Sequence, residues 1–102
     1  MSFGLESKTL KSIKNIFFKY PEIEKVIIYG SRAMGNYKHN SDVDLAVIGN
    51  LKWDFIGHLM EELDSISTPY LYDVTDYKRI TNPEVKKHID DYGKVFYEKF
   101  NG

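Results

Sequence analysis

Apolar side chains recur at two spacings along the chain, and the change from one to the other predicts its secondary structure. At three stretches they return every three or four residues, which is the spacing of an amphipathic helix. In the first stretch, lysines fill much of the opposite side, Ser7 is placed to cap the start, and Pro21 ends the pattern. The third begins at Asn82-Pro83 and ends at Gly93. The predicted helices span residues 7–20, 53–63 and 82–92.

Between these helices the chain holds short runs of β-branched and aromatic residues, which are typical of strands. The run before Gly30 is apolar throughout, as in a buried strand. Residues 31–41 have no apolar period, so a short helical turn followed by a loop is predicted there. The predicted strands span residues 24–30, 42–48, 70–75 and, as a short final strand, 94–100.

The order of these elements predicts an α/β fold, because interleaved strands and helices form a sheet with helices packed on it. The chain has 102 residues, which suits a single domain over residues 1–102. It contains no cysteine, and no apolar run approaches the ~20 residues of a membrane span. A cytoplasmic protein is expected. The net charge of -1 shows no basic footprint for nucleic acid.

The residues with the most chemical information begin at Gly30-Ser31. Gly30 ends a predicted strand, where a missing side chain lets a ligand approach the backbone. Ser31 would open the following helical turn, and free N–H groups at a helix start attract phosphate. Arg32 is a further candidate for contacting phosphate, although an arginine exposed to solvent after a turn is an equal alternative.

Two carboxylates follow at Asp42 and Asp44. Residues two apart on a strand project from the same face, so both side chains are expected on one face, with Val43, Leu45 and Val47 on the other. Carboxylates ~6 Å apart repel by roughly 3 kcal/mol at an effective dielectric constant near 20. A cation would relieve this repulsion, and oxygen ligands with room for water and phosphate suit Mg²⁺.

A third carboxylate, Asp73, lies in the predicted strand Tyr72-Asp73-Val74. If this strand neighbours that of Asp42 and Asp44, the three acids converge. One of them could then accept the proton of an attacking hydroxyl, as in a two-metal site for nucleotidyl transfer. Asp76 is an alternative third acid, although its position after the strand better fits a turn or cap.

Other polar and aromatic residues are interpreted more simply. Lys38 and His39 are expected to be loop residues, and His58 and His88 to lie on helices without a ligand role. Trp53 is expected to begin a core-packing helix, with a base-stacking role as the weaker alternative.

The chain holds Gly30-Ser31, ten intervening residues and then Asp42-Val43-Asp44. This pattern of Gly-Ser followed by Asp-x-Asp resembles the signature of the minimal nucleotidyltransferases of the DNA polymerase β superfamily. Asp73 resembles the third carboxylate of that family. The resemblance implies a nucleotidyltransferase fold with a mixed sheet flanked by helices. It implies Mg²⁺, as two ions, on Asp42, Asp44 and Asp73, with Asp73 as third ligand or general base. Gly30 and Ser31 would hold the triphosphate of ATP or another nucleoside triphosphate.

Family members of this size are typically antitoxins paired with a small helical HEPN protein, and some transfer AMP to a tyrosine of that partner. The resemblance therefore implies an enzyme with a HEPN partner. Two alternatives are an antitoxin that acts by contact alone and a dimeric nucleotidyltransferase resembling the aminoglycoside-modifying enzymes. Candidate partner contacts near the C-terminus are Tyr92, Phe96, Tyr97 and Phe100, of which about half are equally expected to pack on the sheet.

Overall fold

A computed structural model describes residues 2–99, and its elements follow the predicted order. A short 3₁₀ turn, Tyr77–Arg79, is the one element that was not predicted. The helices are α1 (Ser7–Phe18), α2 (Ser31–Met34), α3 (Phe55–Asp64) and α4 (Pro83–Tyr92). The strands are β1 (Ile23–Tyr29), β2 (Val43–Gly49), β3 (Tyr72–Asp76) and β4 (Lys94–Glu98).

The four strands form one mixed sheet in the order β3-β2-β1-β4. β1 is antiparallel to both β2 and β4, whereas β2 and β3 are parallel. Parallel neighbours need a crossover connection, and α3 supplies it. The predicted α/β fold with a mixed sheet is thereby confirmed, and β3 is placed directly beside β2.

One face of the sheet carries the apolar core, which is covered by α1 and α3. Alternate residues of each strand point into it, as expected for a pleated sheet with one buried face. The fully buried side chains include Ile13 and Phe17 from α1, Leu59 and Leu63 from α3, and Val26, Ile28, Val43, Leu45 and Val47 from the sheet.

The opposite face is covered only in part, by α4. Ile89 is the buried residue of this helix, and Gly93 at its end lies against Ile27 of β1, where an added Cβ would collide with both neighbours. Gly93 therefore ends the helix as predicted, but it does so by close packing, because its φ of -65° is open to any residue. Beside α4, the same face of β2 and β3 is left accessible.

Several predicted details were wrong at the ends of elements. Ser7 is the first residue of α1 and not its cap: Glu6 takes the cap position without a side-chain hydrogen bond. α3 begins at Phe55, so Trp53 stays outside it and is 81% exposed instead of packing in the core. Asn82 does cap α4, accepting a hydrogen bond from the Glu84 N–H.

The C-terminal aromatic residues lie in different environments. Phe96 is buried between Phe3 and Phe17, so it follows the alternative expectation of packing in the core and is not a candidate partner contact. Tyr97 is partly buried against Phe17, and Tyr92 is 52% exposed. Phe100 lies outside the described residues. Within residues 2–99, no helix is long and apolar enough to cross a membrane.

Candidate functional site

Asp44 and Asp73 lie side by side on the accessible face of the sheet. β2 and β3 pair in a register that sets Asp44 opposite Asp73, and neighbouring strands are separated by about 4.8 Å. The flanking residues of both strands, Val43, Leu45 and Val74, are buried in the core on the other face. Two of the three predicted acids are therefore aligned by strand pairing alone.

The pKa of Asp44 is raised from its ordinary value to about 6. Burial is the main cause, and the negative charges of Asp73 and Asp42 add to it, while His88 acts in the opposite direction. Burial and the two neighbouring acids thus outweigh the opposing effect of His88 on the Asp44 carboxylate. A cation beside it would relieve both the repulsion and the cost of burial.

Asp42 precedes β2 by one residue and is exposed. It is close enough to act on the charge of Asp44, but the described residues contain no preformed group of three metal-binding side chains. The predicted convergence of three acids is therefore realised only for the pair Asp44 and Asp73. The donor set still fits Mg²⁺, which is commonly held by one or two carboxylates and completes its shell with water and phosphate.

Gly30 connects β1 to α2 directly beside this pair. Its φ is 74°, in the left-handed region, and a Cβ added to it would collide with the Asp44 carboxylate. The positive φ favours glycine here, and any other residue would also displace the Asp44 carboxylate from its position beside the turn. Its carbonyl accepts the N–H groups of Ala33 and Met34, so α2 begins at Ser31, next to the acids.

Arg32 has a different environment from the predicted one. It is 2% exposed, and its guanidinium donates to the carbonyls of Phe3, His39 and Ser41 at 2.9 to 3.2 Å. The rings of Tyr37 and Tyr70 lie 5.2 and 4.9 Å from it. Neither alternative, phosphate contact or solvent exposure, describes a side chain whose donors are used on backbone oxygens. Arg32 instead holds the chain that leads into Asp42.

Asp76, the alternative third acid, is buried at the end of β3. Its carboxylate accepts the Lys78 N–H at 3.1 Å and pairs with Arg79 at 3.5 Å, so it caps the 3₁₀ turn. This agrees with the interpretation of Asp76 as a cap and leaves Asp73 as the candidate for the third acid.

Sequence reasoning missed two residues of the site, His88 and Tyr29. His88 of α4 accepts a hydrogen bond from the Gly30 N–H at 3.3 Å, and its ring lies 6.2 Å from that of Tyr29. Tyr29 pairs with Asp44 across β1 and β2, and burial raises its pKa, with Asp73 and Asp44 adding to the effect. Since 58 residues separate Gly30 from His88, no local pattern could have connected them.

Comparison with known proteins identifies the family and the fold of the chain. The family model described as "Polymerase beta, Nucleotidyltransferase" matches residues 11–101. A relative from Methanocaldococcus jannaschii, named "Putative protein adenylyltransferase", is 26% identical over 98 residues, which is 90% of this chain and 98% of that protein.

Two solved structures share the fold. One is a toxin–antitoxin complex with AMP-PNP, with a TM-score of 0.70 and 20% identity over 93% of this chain and 75% of the other. The other is the tri-AMPylated Shewanella oneidensis HEPN toxin in complex with MNT antitoxin, with a TM-score of 0.68 and 16% identity over 93% and 74%. With the family model matching most of its length, the chain belongs to the polymerase β nucleotidyltransferase family.

Proposed function

We propose that this chain is a Mg²⁺-dependent adenylyltransferase that moves AMP from ATP to a hydroxyl of a protein partner. The partner is a HEPN-type protein, the acceptor is one of its tyrosines, and the chain acts as its antitoxin. The observation that carries the proposal is the register of Asp44 and Asp73 on one open face, beside the Gly30 turn.

The metal would be held by Asp42 and Asp44, with Asp73 available to both the metal and the acceptor. When bound, Mg²⁺ would neutralise charge on the triphosphate and polarise the α-phosphate. The raised pKa of Asp44 supports this assignment, because the carboxylate is crowded by other acids without a cation to offset them. A bound metal ion, together with the triphosphate, would offset the repulsion between the carboxylates that the protein shows by itself.

The reaction would be an in-line displacement at the α-phosphorus. The acceptor oxygen forms a bond to phosphorus, the bond to the bridging oxygen breaks, and pyrophosphate leaves with that oxygen. A tyrosine hydroxyl has an ordinary pKa near ~10, so its proton must leave as it attacks. Asp73 is the candidate base: it is exposed on the open face, where an acceptor from another protein can reach it.

The triphosphate would lie against the Gly30-Ser31 turn. Gly30 has no side chain, so its backbone can approach a ligand closely, and Ser31 adds a hydroxyl next to the acids. ATP is favoured as the nucleotide by the similarity to a protein named as an adenylyltransferase and to a complex with AMP-PNP.

A HEPN partner is favoured by the similarity to a complex of MNT antitoxin with AMPylated HEPN toxin. For the contact surface we propose the exposed C-terminal end of α4 and the start of β4. Tyr92 and Val95 are each 52% exposed there. Side chains of this kind fit the centre of a protein interface.

The direct test is the intact mass of the HEPN partner after incubation with this chain, ATP and Mg²⁺. Each transfer should add one AMP to the partner. The double variant Asp42→Asn with Asp44→Asn should abolish the added mass, while Glu61→Gln, on the exposed side of α3, should leave it unchanged. If the parent protein adds no mass with any nucleoside triphosphate, under Mg²⁺ or Mn²⁺, yet still neutralises the partner, antitoxin action by contact alone would be the better account.

A further inference from the structure

We infer that His88 is a positioning residue of the nucleotide site, holding the Gly30 turn in the orientation that receives the triphosphate. The inference rests on the proposed function, and it assigns a role to a helix outside the Gly-Ser and Asp-x-Asp motifs. It follows from the contact that α4 makes across the open face of the sheet.

The contact is a hydrogen bond between a side chain and the backbone of the turn. The His88 Nε2 accepts the Gly30 N–H at 3.3 Å. The imidazole is partly buried, and its ring lies 6.2 Å from the ring of Tyr29 and 5.4 Å from that of Tyr92. Aromatic neighbours on two sides limit the rotation of the imidazole, so its acceptor nitrogen stays directed at the turn.

Gly30 has particular need of such a contact. The pairing of β1 with β2 ends at Tyr29, which lies opposite Asp44, so no residue of β2 pairs with Gly30. The Gly30 carbonyl is held by the N–H groups of Ala33 and Met34, each at 3.2 Å. His88 holds the other side of the residue, so both backbone groups of Gly30 are engaged.

Glycine has the widest conformational freedom of any residue, and Gly30 occupies a φ of 74° that most residues avoid. Without His88, the Gly30 N–H would lose its acceptor, and the peptide group between Tyr29 and Gly30 would be less restrained. The turn would then sample orientations in which its backbone does not face the phosphates. Nucleotide affinity should fall, because only a fraction of the molecules would hold the turn in the orientation that binds the triphosphate.

A purely structural role for His88 makes a different prediction. α4 is anchored to the sheet mainly by the buried Ile89, so loss of His88 should cost little stability. The feature that matters to the turn is an acceptor atom at the Nε2 position. Glutamine can supply one, since its side-chain oxygen occupies an equivalent place, whereas alanine cannot.

The experiment is titration of the full chain with ATP in excess Mg²⁺, comparing the parent protein with His88→Ala and His88→Gln. His88→Ala should weaken binding about five- to tenfold, as expected for one lost hydrogen bond. His88→Gln should recover most of the affinity. His58→Ala is the matched control, because His58 is an exposed helical histidine on α3, and it should bind as the parent does.

A second measurement reports on the turn without nucleotide. In hydrogen exchange by NMR, the Gly30 amide should be protected in the parent and in His88→Gln, and should exchange faster in His88→Ala. The melting temperatures of the two His88 variants should be alike. Rescue by glutamine, at equal stability, would separate positioning of the turn from general packing of α4.

Four results would overturn the inference. Equal affinity in His88→Ala and the parent would mean that the bond does not matter, and tighter binding would mean that the imidazole blocks the site. An equal loss in His88→Ala and His88→Gln would assign the effect to helix packing. Failure of the parent itself to bind ATP with Mg²⁺ would instead overturn the proposed function, and the inference with it. The titration of the parent protein alone reveals this case.

Discussion

The two faces of strands β2 and β3 are built from alternate residues of the same short segments, yet they serve opposite purposes. On the covered face, Leu45 and Val47 are fully buried and Val74 is 6% exposed. On the open face, the residues between them include Asp44 and Asp73, which repel each other. The covered face stabilises the fold, whereas the repulsion between acids on the open face lowers the stability of the protein compared with neutral side chains.

The difference shows how a small sheet separates stability from chemistry. Strand alternation lets every second residue pack in a core while the others are chosen for reactivity. Substitutions on the covered face should therefore affect folding, and those on the open face should affect transfer or binding. Each of the following experiments tests this separation.

The largest expected effect is the loss of transfer in Asp73→Asn. If Asp73 takes the proton of the acceptor hydroxyl, the rate of AMP transfer should fall on the order of 10²–10⁴-fold, while affinity for ATP with Mg²⁺ changes much less. The measurement is the initial rate of mass addition to the partner, beside a binding titration. Asp64→Asn, an exposed acid of α3, is the control.

A parallel fall of binding and transfer in Asp73→Asn would show that Asp73 is chiefly a metal ligand. An unchanged transfer rate would remove Asp73 from the site altogether and would leave Asp44 as the only acid of the aligned pair with a role.

The largest effect on folding is expected for Leu45→Ala. Leu45 is fully buried, so its truncation should lower the free energy of unfolding by about 2–5 kcal/mol. Leu71→Ala is the matched control, because Leu71 is 70% exposed and should cost less than ~0.5 kcal/mol. Urea unfolding curves measure both. Similar costs at the two positions would contradict the assignment of the core to this face.

Replacing Asp44 by Asn should stabilise the protein when no metal is present. The pKa of Asp44 is about 6 in the folded state, above the ordinary value of 3.8, so the folded state holds this proton more tightly than the unfolded state. The stability contribution therefore falls as pH rises from about 4 to about 6. Because the carboxyl is partly exposed, solvent screening reduces the effect to on the order of 1–2 kcal/mol.

Thermal melts without metal should thus show Asp44→Asn melting several degrees above the parent at pH 7, with the gap closing towards pH 4. Glu61→Gln should show no comparable gap. Added Mg²⁺ should stabilise the parent more than the variant. A variant that melts below the parent at pH 7 would show that Asp44 is not electrostatically unfavourable in the folded state.

The smallest effect is expected for Ser31→Ala. Loss of one hydroxyl donor to the triphosphate should weaken binding of ATP by about 1 kcal/mol, roughly fivefold. Stability should hardly change. Ser65→Ala, whose hydroxyl bonds a carbonyl at the end of α3, should leave binding intact. A loss of ATP affinity in Ser31→Ala that is matched by a fall in stability would show that Ser31 supports the fold and not the triphosphate.

The sequence predicted the order of elements well because that order depends on local patterns. Helical spacing, turn residues and β-branched runs identified all four strands and the three longer helices. The convergence of Asp44 and Asp73 could be predicted only on the condition that their two strands are neighbours. Whether β3 lies beside β2, and in which register, depends on how α3 packs across the sheet, and packing is a property of the whole chain.

The errors have a similar origin. Arg32 follows a glycine turn in the sequence, which suggested contact with phosphate or with solvent, but its partners are carbonyls from two separate segments, the turn at Phe3 and the loop at His39 and Ser41. Trp53 was expected in the core but is exposed, because burial depends on which elements cover each position. His88 belongs to an unremarkable helical pattern, and only the fold brings it to Gly30.

The hydrogen bond from Arg32 to the Phe3 carbonyl, 2.9 Å long, has a practical consequence for anyone expressing this protein. Phe3 has a φ of 55° and is 8% exposed, so the turn before α1 is held in an uncommon conformation by its contacts. Trimming the chain to the start of α1 at Ser7 would delete this carbonyl. Arg32 also donates to the Ser41 carbonyl, so the loss of the Phe3 carbonyl would weaken the support of the segment that leads into Asp42. Affinity tags should be removed without cutting into this turn.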